Sequence, residues 1–273
     1  MKKNFFLDLE LSLADAVLLG TNVRILSKML NSCSEDLQKG DEDRWSVLES
    51  AFQNEFHNKR VLRLVASKVV LTDNQRLRMM VCLGKKWDEI KPLLPDDIDF
   101  QDNGSGSTLL MDAARFGQVN VARHLIDAGA DVNARDFDGW TALRHGEDDW
   151  KIVRLLVENG ADINTKDNDG DMFLDSLWNN GHPIRFIRFA LKHDADPNVI
   201  FYHIMLLHKE YPFGIWKALL NKGIRQSLVN FAYEGTFDVS HRVAKNVVDL
   251  LKSYAKPCDE VFNGCPFWKN EDS

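Results

Sequence analysis

Two stretches decide the fold. GSTLLMDAARFGQVNVARHLIDAGADVNARD occupies residues 106–136, and GWTALRHGEDDWKIVRLLVENGADINTKD occupies residues 139–167. They align with each other, and GDMFLDSLWNNGHPIRFIRFALKHDADPNV at residues 170–199 aligns with both. Thr108 to Thr141 is 33 residues, Gly129 to Gly160 is 31, and Ala161 to Ala195 is 34. Each copy reads as two short helices and a turn. Gly117 and Gly181 are expected to end the first helix, where a left-handed residue lets orphan carbonyls be satisfied. Gly129 and Gly160 do the same after the second helix. Thr108 and Thr141 stand where an N-cap is needed. Asp131, Asn133, Asp162 and Asn164 suit the following turn, because their side chains bond nearby backbone amides. Ala113 and Ala114 are small enough for neighbouring helix pairs to approach closely. Val121, Leu125 and Ile126 form one apolar face. A single pair cannot bury such a face, whereas a stack can.

These motifs resemble the ankyrin repeat. Gly139, Thr141 and Leu143 stand at the family's G-x-T-P-L. Ala113-Ala114 with Gly117 matches A-A-x-x-G, and Gly181-His182 matches the G-H at the same place. Residues 129–133 and 160–164 match G-A-D-V-N almost residue for residue, and residues 193–198 are a variant of it. The resemblance implies an all-α fold, an α-solenoid of stacked helix-turn-helix repeats with β-turn tips, and a role in binding another protein. Degenerate helix pairs flank the centre: 13–20 with 23–30, 45–51 with 61–65, 79–84 with 89–94, 204–207 with 216–223, and 229–235 with 247–254. The expected organisation is an N-terminal cap over 1–72, a repeat stack over 73–226, and capping helices and a tail over 227–273. A separate N-terminal helical domain ending near residue 72 is the alternative.

The chain departs from the family pattern in places. The copy beginning at Gly139 is two residues short and lacks the paired alanines, which is expected to kink the stack or open a pocket there. The turn at 102–107 is rich in glycine and serine, and is expected to be flexible or to have extra reach. In the tail, Phe262, Phe267 and Trp268 are expected to dock as a lid.

Composition narrows the function. Apolar residues make up 44% and charged residues 27% of 273 residues, which is ordinary for a globular protein. No apolar run is long enough for a membrane span. The opening MKKNFFL looks like a signal peptide, but Asp8, Glu10 and Asp15 interrupt its apolar core, so a folded helix is expected. Net charge is −7, from 41 acidic and 34 basic residues, which disfavours nucleic acid as a partner. Asn58, Lys59, Arg60, Arg63 and Lys68 form the best basic patch, read as a solvated helix face. Four scattered cysteines (Cys33, Cys82, Cys258 and Cys265) fit a reducing cytosol, with a Cys258–Cys265 disulfide as the oxidised alternative.

No constellation for catalysis, cofactor or metal stands out. Residues 167–171 begin like a calcium loop, but Met172 and Trp178 occupy the positions that need Gly and Glu. His145 with Glu147 and Asp148 reads either as a polar site or as an exposed helix end. The expected function is therefore a protein-binding module, with no enzyme activity, no cofactor and no metal. An enzyme with dispersed residues stays as an alternative.

The resemblance places binding at the turn tips and the exposed face of the first helices. The tip positions are Phe137, Asp138 and Trp140, then Asn168, Asp169 and Asp171, with Gly104, Ser105 and Ser107 in the preceding copy. The helix positions are Arg115 and Phe116, then Asn179 and Asn180. Phe137 and Trp140 read as anchors or as packing between neighbouring turns. Asp136, Asp138, Asp167, Asp169 and Asp171 around them suggest a partner protein with a basic surface. An inhibitor or neutraliser of one protein, acting as a monomer without nucleic acid or membrane, heads the expectations. A multi-partner scaffold or host-directed effector follows.

Overall fold

The computed structural model describes residues 16–17, 22–32, 47–53, 58–174, 184–200 and 213–222. The chain divides into two compact units. The first is Met1–Asp162 with Lys166–Gly170, and the second is Ile163–Thr165 with Asp171–Ser273. Several expectations fall outside the described residues: Asn179, Asn180, Gly181, the helix at 204–207, the pair at 229–254, the tail aromatics, and Cys33, Cys258 and Cys265.

The first unit is built from helix pairs. Its helices are α1 (Val23–Ser32), α2 (Val47–Phe52), α3 (Lys59–Ala66), α4 (Asp73–Cys82), α5 (Trp87–Ile90, followed by a 3-10 turn at Lys91–Leu93), α6 (Leu109–Arg115), α7 (Val119–Asp127), α8 (Ala142–His145) and α9 (Trp150–Glu158). The second unit contributes α10 (Ile184–Lys192) and α11 (Phe213–Asn221), which pack on each other. No strand occurs among the described residues. None of the described helices is long and apolar enough to cross a membrane.

Local sequence explains where the helices begin and end. Asn58 caps α3 by accepting the amides of Arg60 and Val61. Thr72 and Gln75 form a reciprocal capping box on α4. Thr108 caps α6 by accepting the Met111 amide, and Asp149 caps α9 by accepting that of Lys151. Thr141 holds the equivalent position before α8, but the expected cap bond is absent. Its hydroxyl is buried without a hydrogen-bond partner. After α7 and α9 the chain turns through Gly129 (φ +98°) and Gly160 (φ +92°), as the motif requires. In the second unit Asp194 adopts φ +59° at the matching place.

Within the first unit, α6 packs between α4 and α8, α7 packs on α9, and α2 packs on α3. Leu125, Ala113 and Ala114 are buried as read, and Leu155 and Leu156 of the next copy are buried too. Phe52, Leu48, Val61, Leu62 and Val65 share one core with Cys82 and Phe116. The pair at 47–66 therefore continues the stack's interior.

Neighbouring turns are stitched by a repeating side-chain ladder. The Asp99 carboxylate accepts the Asp131 amide at 3.0 Å. Asn133 accepts the Asp162 amide at 2.8 Å and donates to the Gly160 carbonyl at 3.0 Å. Inside the second unit, Asn164 accepts from Asp196 and donates to Asp194 in the same way. The final residue of each G-A-D-x-N motif thus bonds the next turn, beyond its own. Each such bond contributes about 1 kcal/mol. Replacing Asn133 by Ala is expected to lower the unfolding free energy by about 1–2 kcal/mol in a urea titration. An unchanged midpoint would mean that the ladder adds no stability.

Candidate functional site

The turn tips are shaped by one aspartate per repeat. Asp136 accepts the amides of Asp138 at 3.1 Å and Trp140 at 2.7 Å through one carboxylate oxygen. Its own amide bonds the Trp140 carbonyl, and its carbonyl accepts the Gly139 amide. Asp102 does the same work one repeat earlier. It accepts from the Gly104, Ser105 and Ser107 amides and the Ser105 hydroxyl, at 2.7–2.9 Å. The glycine- and serine-rich turn is thus held by its aspartate, which corrects the expectation of looseness or reach. Ser105 and Ser107 are buried and point inward rather than to a partner, and Gln53 donates to Ser105 at 2.8 Å.

This scaffold pushes Phe137 outward. Its amide donates to the Ser105 carbonyl at 3.1 Å, and its carbonyl accepts from the Asn168 side chain at 2.8 Å. Its ring lies over Gly106, where an added Cβ would come within 2.5 Å of it. Phe137 remains 57% exposed. Trp140 is half-buried. Its ring meets His145 at 5.5 Å between centroids, and the Arg144 guanidinium lies 4.9 Å over it. Asp138, Asn168, Asp169 and, in the second unit, Asp171 are exposed.

Other expected site residues go inside. Arg115 and Phe116 are 7% and 5% exposed. Because α6 is packed between α4 and α8, its last turn is largely covered, and both residues only line the space between the ends of α6 and α8. Asp136 is also buried, its second oxygen 2.7 Å from His145 Nε2. It belongs to the interior rather than to an acidic surface. His145 is no exposed helix end either: its side chain is 3% exposed, with Arg115 Nη2 2.8 Å from Nδ1. Arg115 also donates to the Phe52 carbonyl and to Gln53.

Next to this chain lies a buried ion cluster. Arg78 is 2% exposed and forks onto Asp112, with Nε to Oδ2 at 2.7 Å. Its Nη1 lies 3.1 Å from Glu49 and 3.5 Å from Asp102, and the guanidinium stacks 4.3 Å from the Phe52 ring centroid. Burial opposes the Arg78 charge, but Asp112, Glu49 and Asp102 outweigh it and hold its pKa above the usual arginine value. Burial pushes the Glu49 carboxyl up, against the pull of Arg78. For Asp102, burial is outweighed by Arg78 and the amide donors, and its pKa falls.

The sequence reading missed this cluster. One signal was available: Asp102, Asp136 and Asp167 recur at 34 and 31 residues, ahead of each helix pair. The shortened copy is visible as a four-residue α8, against seven residues in α6. Beside it opens a pocket of about 290 Å³ between the ends of α6 and α8 and the start of α9.

Helix pairs repeated along the chain and bonded turn to turn define a repeat scaffold of the ankyrin type. Residues 77–167 match the family model described as ankyrin repeats in three copies, so this segment is made of ankyrin repeats. Such repeats are protein–protein interaction modules, and the family is typically non-catalytic. Protein phosphatase 1 regulatory subunit 12A from Mus musculus and from Rattus norvegicus are each 40% identical to this chain over 104 residues. The match spans 38% of this chain and only 9% of either relative.

The buried histidine gives a pH test. Burial, and then the Arg115 charge, lower the His145 pKa to about 4, while its bond to Asp136 opposes the shift. The unfolded chain therefore binds more protons than the folded one between about pH 6.5 and 4. Stability from this group is present above about pH 6.5 and is lost as pH falls toward 4, on the order of 3 kcal/mol in all. His145→Gln is expected to flatten that part of the unfolding free energy against pH. An unchanged slope would assign the dependence to other groups.

Proposed function

We propose that this chain binds one specific protein with a basic surface and inhibits or neutralises it, as a monomer in a reducing cytosol. The turn-tip residues Phe137, Asp138, Trp140, Asn168 and Asp169 form the contact of the first unit; Asp171, Asn179 and Asn180 are the residues of the second unit assigned to binding. Arg115 and Phe116 support that surface from within.

The observation that carries this reading is Phe137. An apolar ring 57% exposed costs solubility and fills no core, yet its backbone is bonded to the tips on both sides. Such pre-ordering lowers the entropic cost of binding. Aromatic residues ringed by polar groups are the usual anchors of protein interfaces. Exposed Asp138 follows Phe137, and exposed Asp169 follows Asn168, whose side chain bonds the Phe137 carbonyl; both favour approach of a positively charged surface. The relatives' name describes a regulatory subunit, which supports a controlling role exerted by binding. A multi-partner scaffold is the competing reading.

A tagged pull-down from the native source, washed at low and high salt, separates them. The expected result is one dominant basic protein at equal stoichiometry, weakened by salt. Phe137→Ala is expected to weaken that complex by about 2 kcal/mol, roughly thirtyfold in Kd. Several unrelated partners would favour a scaffold. Unchanged affinity in both Phe137→Ala and Trp140→Ala would remove the tips from the interface.

A further inference from the structure

We infer that the pocket beside α8 receives a lysine or arginine side chain of the partner protein, an inference that rests on the protein-binding reading above. The pocket lies beside the shortened copy that begins at Gly139, whose first helix α8 has four residues against seven in α6. Gly146 follows α8 directly, and a Cβ there would meet Ile152 Cγ2 at 2.3 Å and Ala114 at 3.2 Å. The chain therefore closes tightly against α9 at this point, and a 290 Å³ space is left between the ends of the two first helices. That volume accommodates one long side chain.

The lining selects the chemistry of the occupant. Asp148, Asp149 and Trp150 line the pocket together with Phe116, which contributes apolar surface. Asp148 is exposed. Asp149 spends one oxygen on the α9 cap, while the other faces the space beside Gly117, lying 3.1 Å from where a Cβ would be. Two carboxylates near an indole suit a cation with an apolar stem, which gains charge pairing and contact with an aromatic face. Arg115 also lines the pocket, but its Nη1 donates to Gln53 and the Phe52 carbonyl and its Nη2 pairs with His145. Burial, with the nearby Arg78 charge, lowers its pKa against the opposing pull of Asp112 and Asp136. The accessible charge is thus acidic, matching a basic partner. A carboxylate guest would meet both aspartates as well as the partly bonded guanidinium.

The test uses full-length protein labelled with 15N at tryptophan, with the Trp150 indole signal assigned from Trp150→Phe. The probes are Nα-acetyl-arginine methylamide, its uncharged citrulline counterpart, and Nα-acetyl-glutamate methylamide. The arginine probe is expected to shift the Trp150 signal saturably, and the citrulline and glutamate probes are not. Asp148→Asn changes an exposed residue and is expected to weaken the arginine response about fivefold. No Trp150 shift with arginine, an equal shift with citrulline, or a shift with glutamate alone would overturn the assignment. The probe measurement needs no partner. If it fails while Phe137→Ala still weakens the captured complex, the pocket inference falls and the tip interface stands. If the tips also prove inert, both fall.

Discussion

The guanidinium of Arg78, shielded from water, draws its partners from three separate parts of the chain. Asp112 comes from α6, Glu49 from α2 and Asp102 from the turn before α6. A buried arginine without such partners would cost several kcal/mol, so none of these elements can drift without exposing the penalty. The same aspartate that faces Arg78 also folds the turn at 102–107 by collecting its amides. Turn shape and helix packing are therefore coupled through a single carboxylate. One repeat further on, Asp136 repeats the device with His145 and Arg115 in place of Arg78.

This coupling bears on function because the exposed tips stand on the buried aspartates. Phe137 and Trp140 take their positions from the amides that Asp136 holds and from the carbonyl of Ser105. A binding surface made of turns would otherwise lose entropy on contact. Here the ordering is done during folding, so in the proposed tip interface more of the contact energy would remain for affinity.

The helix pairs were legible because their signals are local and periodic. Gly129 and Gly160 mark left-handed turns, Thr108 marks a cap, and the leucines mark a buried face. The shortened copy was legible for the same reason, as a count. The polar interior was not. Arg78 lies among residues that read as an ordinary helix, and its partners are 29 and 34 residues away in Glu49 and Asp112. A charged residue in a helical pattern reads as solvated unless its partners are known. Asp136 and Asp138 look alike in sequence, yet one is buried beneath the turn and the other is exposed on it. Arg115 was misplaced because the family pattern gives a face to a position, whereas packing between α4 and α8 decides its burial.

Hydrogen exchange on Arg78→Ala, compared with the unaltered chain, tests the dependence of the stack on this cation most directly. Protection should fall together in α2, α4, the turn at 102–107 and α6, because α4 loses the cation and the other three keep the unpaired carboxylates left behind. Loss confined to α4, with the turn and α6 still protected, would contradict a structure organised around Arg78.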